Sequence, residues 1–514
     1  MSLLLALPLL PVAVLLWLAV SARREVLATG WLVALVAAAP LAVAVLMAPQ
    51  GLGLPELLVQ GSAALALDHV ARAGLLLFGG AWFVAGLVMT HGGERSPSVF
   101  ALLIALAGAL TLALGRGGPL VYAGMLAVGY GLYGVVASER HDGWQRPGAV
   151  LIVLLVVSDL LVFEVLLEHT AHPVGAGLGV VAVVALALRA AVPPAHGWLP
   201  QMLQVGSAPA AVLLATVPAG AAWLGGVKLV PSAGPGVAVL CLVLGVAGAA
   251  WATVAGLAQR DERATLGYAV AASSALLFIA LPAGVDGAGP LPWLVLAMLA
   301  ACGAQPLLRF VAPGWRHDLA VALMLLAHGL AAGDVAAQAG ARLPPAVAVL
   351  PGAAALLATL VLTLAVRRIA AEGISPDRPH GLVFTPALLA IAGLGAAWWL
   401  ELPGFASAWP APLGITLGLL AHRLLDRSPV ARAAGDLLDP VESLSGRLVT
   451  AAGRLCVDGL GGLRDRCQAA LLGLWDGPAW SRRMQRLDIR LRSWPATSLM
   501  MLTVALVAAY LLAR

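Results

Sequence analysis

Apolar runs of about twenty residues recur along the chain, separated by short polar or Pro/Gly-rich breaks. A bilayer core takes about 20 apolar residues of helix, and on that basis the chain divides into about sixteen predicted spans. They lie near 2–20, 26–47, 68–90, 98–114, 119–136, 149–167, 176–192, 208–230, 234–257, 264–281, 291–312, 318–333, 345–366, 384–399, 405–421 and 496–513. The seventh is unlike the rest. Its continuation, ALALRAAVPPAHGWLPQMLQVGSAP at 185–209, sets Arg189 among aliphatic residues and then breaks at Pro193-Pro194. A second, amphipathic piece follows with His196, Trp198 and Pro200. A charge beside a break in a membrane helix is costly, and such features mark ion paths or buried partners.

Between the last two predicted spans the pattern changes. Val441, Leu444, Leu448, Leu455, Leu463, Cys467, Leu471 and Leu474 fall largely at three- and four-residue spacing, with Arg and Asp between them. That pattern predicts an amphipathic helix lying along a surface, bent where Gly446, Gly453, Gly459 and Gly462 interrupt it. The arginines 482, 483, 486, 490 and 492 before the final span suit anionic headgroups.

Loop charges test the cut independently. The odd-numbered loops, up to the thirteenth, hold twelve basic residues: Arg23, Arg24, Arg95, Arg140, Arg146, Arg260, Arg263, Arg309, Arg316, Arg367, Arg368 and Arg378. The even-numbered loops hold Arg116, Lys228 and Arg342. The positive-inside rule then puts both termini on the outer side of a cell membrane, here a bacterial inner membrane, and supports an even number of spans.

Composition narrows the class further. Of 514 residues 61% are apolar and 11% charged, and the mean hydropathy is +0.96. Soluble chains carry about a quarter charged residues, so the fold class is an all-α polytopic membrane protein of about 14–16 spans. The formal net charge of +5 follows from the loop asymmetry and does not point to nucleic acid. Cysteines 241, 302, 456 and 467 form no CxxC pair, and Glu168, His169 and His172 lack a fourth ligand, so no metal site is indicated. No nucleotide, flavin or quinone motif stands out, so no cofactor is expected. The first run, Ser2 to Val20, lacks a basic leader and a clear cleavage site and reads as a retained helix. Lys228 is the sole lysine, which the Ala/Leu/Val/Gly-rich composition of a GC-rich genome would explain.

The block Pro194, Ala195, His196, Gly197, Trp198, Leu199, Pro200, followed by Ser207-Ala208-Pro209, resembles a segment of the antiporter-like membrane subunits of respiratory complex I, group-4 hydrogenases and formate hydrogenlyases, and Mrp-type cation/proton antiporters. That family has a lysine, then Pro-x-His-x-Trp-Leu-Pro, in a discontinuous seventh helix. QRDERATLGY at 259–268 resembles its segment before the tenth helix, and Asp68 sits where the family has an Asp entering the third span. The resemblance implies two inverted five-helix repeats with broken helices, here 98–230 and 231–366. Around them come N-terminal helices at 1–97, flanking helices at 367–427, a lateral segment at 428–494 and a last helix at 495–514. It also implies a polar axis that carries protons or Na⁺, other membrane subunits as partners, and no redox chemistry by the chain alone.

Departures from the family pattern condition that reading. Arg189 replaces the broken-helix lysine, and arginine does not titrate in proteins. The stretch Val121 to Leu126 has no counterpart of the fifth-span glutamate, and Gln305 stands where the family often has a titrating residue. Asp159 and Glu164 on the sixth span, in preference to Asp68, are the candidates to neutralise Arg189, because the sixth and seventh spans are sequential neighbours. His196 and His328, the latter with Asp334 nearby, are the candidate titrating groups. Asp261 and Arg263 are a candidate local ion pair or part of the path. Three functions remain open: an ion-translocating subunit of a multisubunit complex, a non-conducting structural subunit of one, and the membrane partner of a zinc-containing subunit for inorganic-carbon uptake.

Overall fold

The computed structural model describes residues 3–21, 26–53, 64–91, 97–139, 144–171, 176–230, 235–285, 290–310, 314–371 and 405–425. The helices are α1 (Leu3–Ser21), α2 (Val26–Leu46), α3 (His69–His91), α4 (Val99–Leu114), α5 (Gly118–Ser138), α6 (Gln145–Ala171), α7 (Ala176–Arg189) and α8 (Trp198–Val205). They continue as α9 (Ala208–Leu229), α10 (Pro235–Ala258), α11 (Glu262–Val285), α12 (Leu291–Ala304), α13 (Trp315–Gly340), α14 (Leu350–Ala371), α15 (Phe405–Ala408) and α16 (Pro410–Leu425). Among the described residues nine helices are long and apolar enough to cross a membrane, and α1, α2, α4 and α7 are shorter apolar helices. The chain is a multi-pass helical membrane protein. The predicted spans at 384–399 and 496–513 and the lateral amphipathic segment lie outside the described residues.

Burial sorts these helices into layers. The apolar window of α11 is 100% buried and that of α9 94%, whereas α10 is 39% and α6 44% buried. Between their terminal turns the two central helices therefore carry apolar or neutral residues all round, and the peripheral ones turn Leu160 of α6 and Val243 of α10 outward to where lipid would lie. One contiguous apolar core runs from Leu4 to Ile369.

Polar contacts at the helix ends reproduce the alternation predicted from loop charge. At the arginine-poor end, Asp68 before α3 pairs with Arg116, which follows α4. There too Lys228, near the end of α9, donates to the carbonyls of Leu112, Ala113 and Gly115 at 2.5, 2.6 and 3.0 Å. At the arginine-rich end, Glu139 after α5 accepts hydrogen bonds from the Ser207 hydroxyl and from its N–H at 2.9 Å, just before α9. Arg368 near the end of α14 donates to Gln259 O before α11. Loops of one parity meet only others of that parity in these contacts.

Two features differ from the expectations. Strands β1 (Gln50–Gly53), β2 (Ala64–Leu67) and β3 (Gly115–Arg116) form a small antiparallel sheet at the arginine-poor end, with Gln50 opposite Leu67 and Ala64 opposite Arg116. Alternate burial of Leu65 and Leu67 is the two-residue period of a strand, too short to register against long helical runs. The second departure from regular helix is a tight 3₁₀ turn, Gln305–Phe310, at the end of α12, while α13 runs unbroken.

Lys228 ties the last turn of α4 to α9 by satisfying carbonyls that a helix C-terminus leaves open. Replacing it with Met keeps the apolar stem and removes all three bonds, so Lys228→Met should lose about 1–3 kcal/mol of stability. Thermal unfolding of the purified chain in detergent reads this directly, and an unchanged transition would show that the clamp contributes nothing.

Candidate functional site: a buried ion pair at a broken helix

The break after α7 is where the main chain leaves regular geometry. Ala191 takes φ 56°, and Val192 N reaches back to Ala187 O at 3.1 Å. The Pro193-Pro194 bond is cis. With no proton on a proline nitrogen, the helix cannot continue through this pair, and the chain restarts as α8 at Trp198.

Arg189 ends α7, where the negative pole of the helix favours a cation. It is 4% exposed. Its guanidinium pairs with Asp159 of α6, donates to Met125 O on α5 at 2.6 Å and to Ser158 Oγ at 3.2 Å. Ser158 in turn donates to Ala185 O at 2.8 Å, which fixes α6 against α7. Gly129 of α5 makes room: a Cβ there would lie 3.0 Å from Arg189 Nη1. Asp159 is 5% exposed, and the Tyr130 hydroxyl of α5 also donates to its carboxylate.

Counting 1.5 Å per residue, Asp159 and Arg189 each lie about 20 Å in from the start of their helices, close to mid-bundle. The same holds for a second cluster. His328 of α13, fully buried, meets Ser273 Oγ of α11 at 2.9 Å through Nε2, and Cys302 Sγ of α12 lies 3.8 Å from that oxygen. Ser273 gives its only proton to Ala269 O at 2.9 Å. His328 Nε2 is therefore the donor to Ser273, and Nδ1 is left as an acceptor with no partner among the described residues. His196 in the break is 4% exposed, and its ring lies 5.4 Å between centroids from that of Tyr268 of α11.

The remaining sequence candidates are placed as follows. Glu164 is exposed on α6, five residues and so about 140° around the helix from Asp159. Asp68 does not reach Arg189; it pairs with Arg116 and caps α3 by accepting from Ala71 N at 2.7 Å. Asp261 and Arg263 do not pair with each other. Asp261 accepts from Ala264 N at 2.7 Å as the cap of α11, and Arg263 donates to Gly206 O at 3.0 Å, closing the end of α8. Asp334 is six residues beyond His328, about 240° around α13, and bonds Ser407. Gln305 is fully buried, and neither end of its amide has a partner among the described residues. No group of three or more His, Cys, Asp or Glu side chains is placed to hold a metal among the described residues.

Sequence reasoning missed Ser158, Glu139, Tyr268, Ser273 and Cys302. Glu139 reads as a loop charge because it lies beyond the predicted span at 119–136. The hydroxyls of α11 read as ordinary small residues, since a lone Ser in a membrane helix usually bonds its own backbone.

Residues 149–312 match the family model described as NADH:quinone oxidoreductase/Mrp antiporter, transmembrane. Over that stretch the chain is similar to this antiporter-like family of membrane subunits. The stretch spans α6 through the 3₁₀ turn and so contains both buried clusters except Met125, Tyr130 and His328. NADH-quinone oxidoreductase subunit N of Mycobacterium sp. (strain JLS) is 29% identical over 240 residues, 43% of this chain and 50% of that protein. The chain thus aligns with about half the length of that relative. A chain of the Mrp complex from Dietzia sp. DQ12-45-1b superposes with TM-score 0.66 at 16% identity, covering 92% of this chain and 60% of that one. A chain of Thermus thermophilus respiratory complex I, in its NADH-bound structure, superposes with TM-score 0.58 at 18% identity, covering 82% of this chain and 100% of that one. These likenesses concern the fold.

The geometry makes a stability prediction. Removing one partner of a buried ion pair leaves an uncompensated charge at a cost of about 3–5 kcal/mol, whereas replacing both by apolar groups is often neutral. Asp159→Leu should therefore lower the thermal stability of the chain in detergent, and Asp159→Leu with Arg189→Met should restore most of the loss. A double variant as unstable as the sum of its singles would mean that the two side chains do not interact.

Proposed function

We propose that the chain is a proton-translocating antiporter-like subunit of a multisubunit membrane complex, with Asp159 as the group that takes up and releases the proton. The observation that carries this reading is the buried Arg189–Asp159 pair at the broken helix. Arginine keeps its charge, so of the two only the carboxylate changes state. Asp159 is engaged by Arg189 and by the Tyr130 hydroxyl of α5, and it is the carboxyl group of that cluster.

The same geometry favours a proton over Na⁺. A metal cation held by oxygen needs several oxygen ligands and no adjacent positive charge. Here the carboxylate already faces a guanidinium, and the second cluster offers an imidazole and a thiol beside its hydroxyl. A proton forms a covalent O–H bond and tolerates such a site. When Asp159 is protonated, Arg189 loses its counter-charge in a medium that penalises bare ions, and that imbalance couples this site to its neighbours along the axis. By the positive-inside rule the arginine-rich end faces the cytoplasm of a bacterial cell. Partner subunits in the membrane supply the driving reaction.

A structural subunit is the second reading, favoured by the completeness of the Arg189 contacts, which also suits a static clamp. Asp159→Asn separates the two. It keeps the shape, and in proteoliposomes holding the chain with its co-purified partners it should cut proton flux about tenfold or more with assembly intact. Normal flux per complex would sink the relay and leave the clamp.

A further inference from the structure

We propose that Glu139 and Arg263 act as one unit through the peptide group between Gly206 and Ser207, and that this bridge positions α8, the second piece of the broken helix, for translocation. The proposal rests on the translocating function above. The carbonyl and the N–H of that single peptide are held from opposite sides. Arg263 of α11 donates to Gly206 O at 3.0 Å and to Gln204 O at 3.4 Å. Ser207 N donates to Glu139, one residue past α5, at 2.9 Å, and the Ser207 hydroxyl donates to the same carboxylate. The order from α5 to α11 is thus carboxylate, N–H, carbonyl, guanidinium. An amide bonded to an anion at one end and to a cation at the other is polarised by both, so each bond strengthens the other.

The two charges also match the helix ends they touch. α8 ends at Val205 and α9 starts at Ala208, so the negative pole of one helix and the positive pole of the next meet at this peptide. Arg263 takes up carbonyls that the last turn of α8 leaves open, and Glu139 serves the N-terminus of α9. Glu139 is 6% exposed, and a carboxylate that deep needs such donors. Beside the joint lies a cleft lined by Leu203 of α8, Ala208 of α9, Leu266 of α11, Pro306 of the 3₁₀ turn and Ile369 of α14. The cleft leaves the joint room to shift on that side, and the bridge holds it in place. α5 also carries the Met125 carbonyl that Arg189 bonds. The bridge therefore ties the far end of α8 to a helix that supports the buried pair, and a displaced α8 would pull on the break next to Arg189.

One position tests the bridge while both charges stay. Ser207 has φ −65°, and Gly206 has φ −72° and ψ 149°. A proline at 207 and the residue before it adopt such values without strain. Ser207→Pro therefore removes the N–H and the hydroxyl, whereas Ser207→Ala removes the hydroxyl alone. The chain with its co-purified partners is reconstituted in vesicles holding a pH-sensitive dye, and proton flux is read per assembled complex. Ser207→Ala should stay within about twofold of the parent, and Ser207→Pro should lose about tenfold or more. Glu139→Gln, which keeps an acceptor and removes the charge, should also lose flux, and combined with Ser207→Pro it should add no further loss. Asp159→Asn is measured alongside. Equal flux in Ser207→Ala and Ser207→Pro, with flux lost in Asp159→Asn, overturns the bridge and leaves the translocation reading standing. Losses that multiply in the combined variant overturn the bridge too, since Glu139 would then act apart from the peptide. Normal flux in every variant overturns the translocation reading and the bridge with it. Should Ser207→Pro not assemble, Glu139→Gln decides, and normal flux per complex in that variant overturns the bridge.

Discussion

A guanidinium at mid-bundle in a membrane protein must find a counter-charge and enough acceptors, or the helix carrying it will not stay there. Arg189 meets that requirement through three helices at once: Asp159 and Ser158 from α6, Met125 O from α5, and its own position at the end of α7. Much else follows from it. Gly129 is small because the guanidinium lies against it. Ser158 bridges to Ala185 because Arg189 needs it turned inward. The helix ends at Arg189, so its terminal carbonyls and the cation support each other.

The two halves of the bundle solve burial differently. The first holds opposite charges whose mutual attraction is strong in a medium of low dielectric. The second holds neutral groups, Ser273, Cys302 and His328, whose hydrogen bonds close onto each other and onto the α11 backbone. A charge change in the first half is thus felt at once by its partner. Any response in the second half has to pass along hydrogen bonds or through movement of a helix. The segment from Ala190 to Val205 follows Arg189 in the chain and packs on α11 through His196 and Pro200.

Much of this was legible in the sequence. Apolar run length and arginine asymmetry placed the helices and their alternating direction, and the end-to-end contacts of Asp68, Lys228, Glu139 and Arg368 agree with both. Adjacency in the chain was enough to pick α6 as the source of the partner for Arg189. Choosing Asp159 over Glu164 was beyond it, because five residues swing a side chain about 140° and only packing tells which face looks inward. His328 and Asp334 were grouped by proximity in sequence for the same poor reason. Lys228 stood out as the sole lysine, yet its three carbonyl partners come from a helix more than a hundred residues away, and no local pattern encodes that. Tyr268 and Ser273 left no trace because their importance is entirely a matter of what faces them.

With arginine in place of lysine at the break, only the carboxylate of the pair can change its charge. In a lysine–carboxylate pair either member can lose its charge. In an arginine–carboxylate pair the cation is permanent, so every proton taken by the carboxylate leaves the site with a net positive charge. A buried charge left unpaired in this way costs several kcal/mol. Translocation through such a site therefore requires a stage in which Arg189 is compensated from elsewhere. The Met125 carbonyl and Ser158 hydroxyl already in contact supply part of that compensation as fixed dipoles. On the proposed function, a partner subunit or a shift of α7 against α5 would have to supply the rest, which would tie conduction to the surroundings more tightly than a lysine relay does.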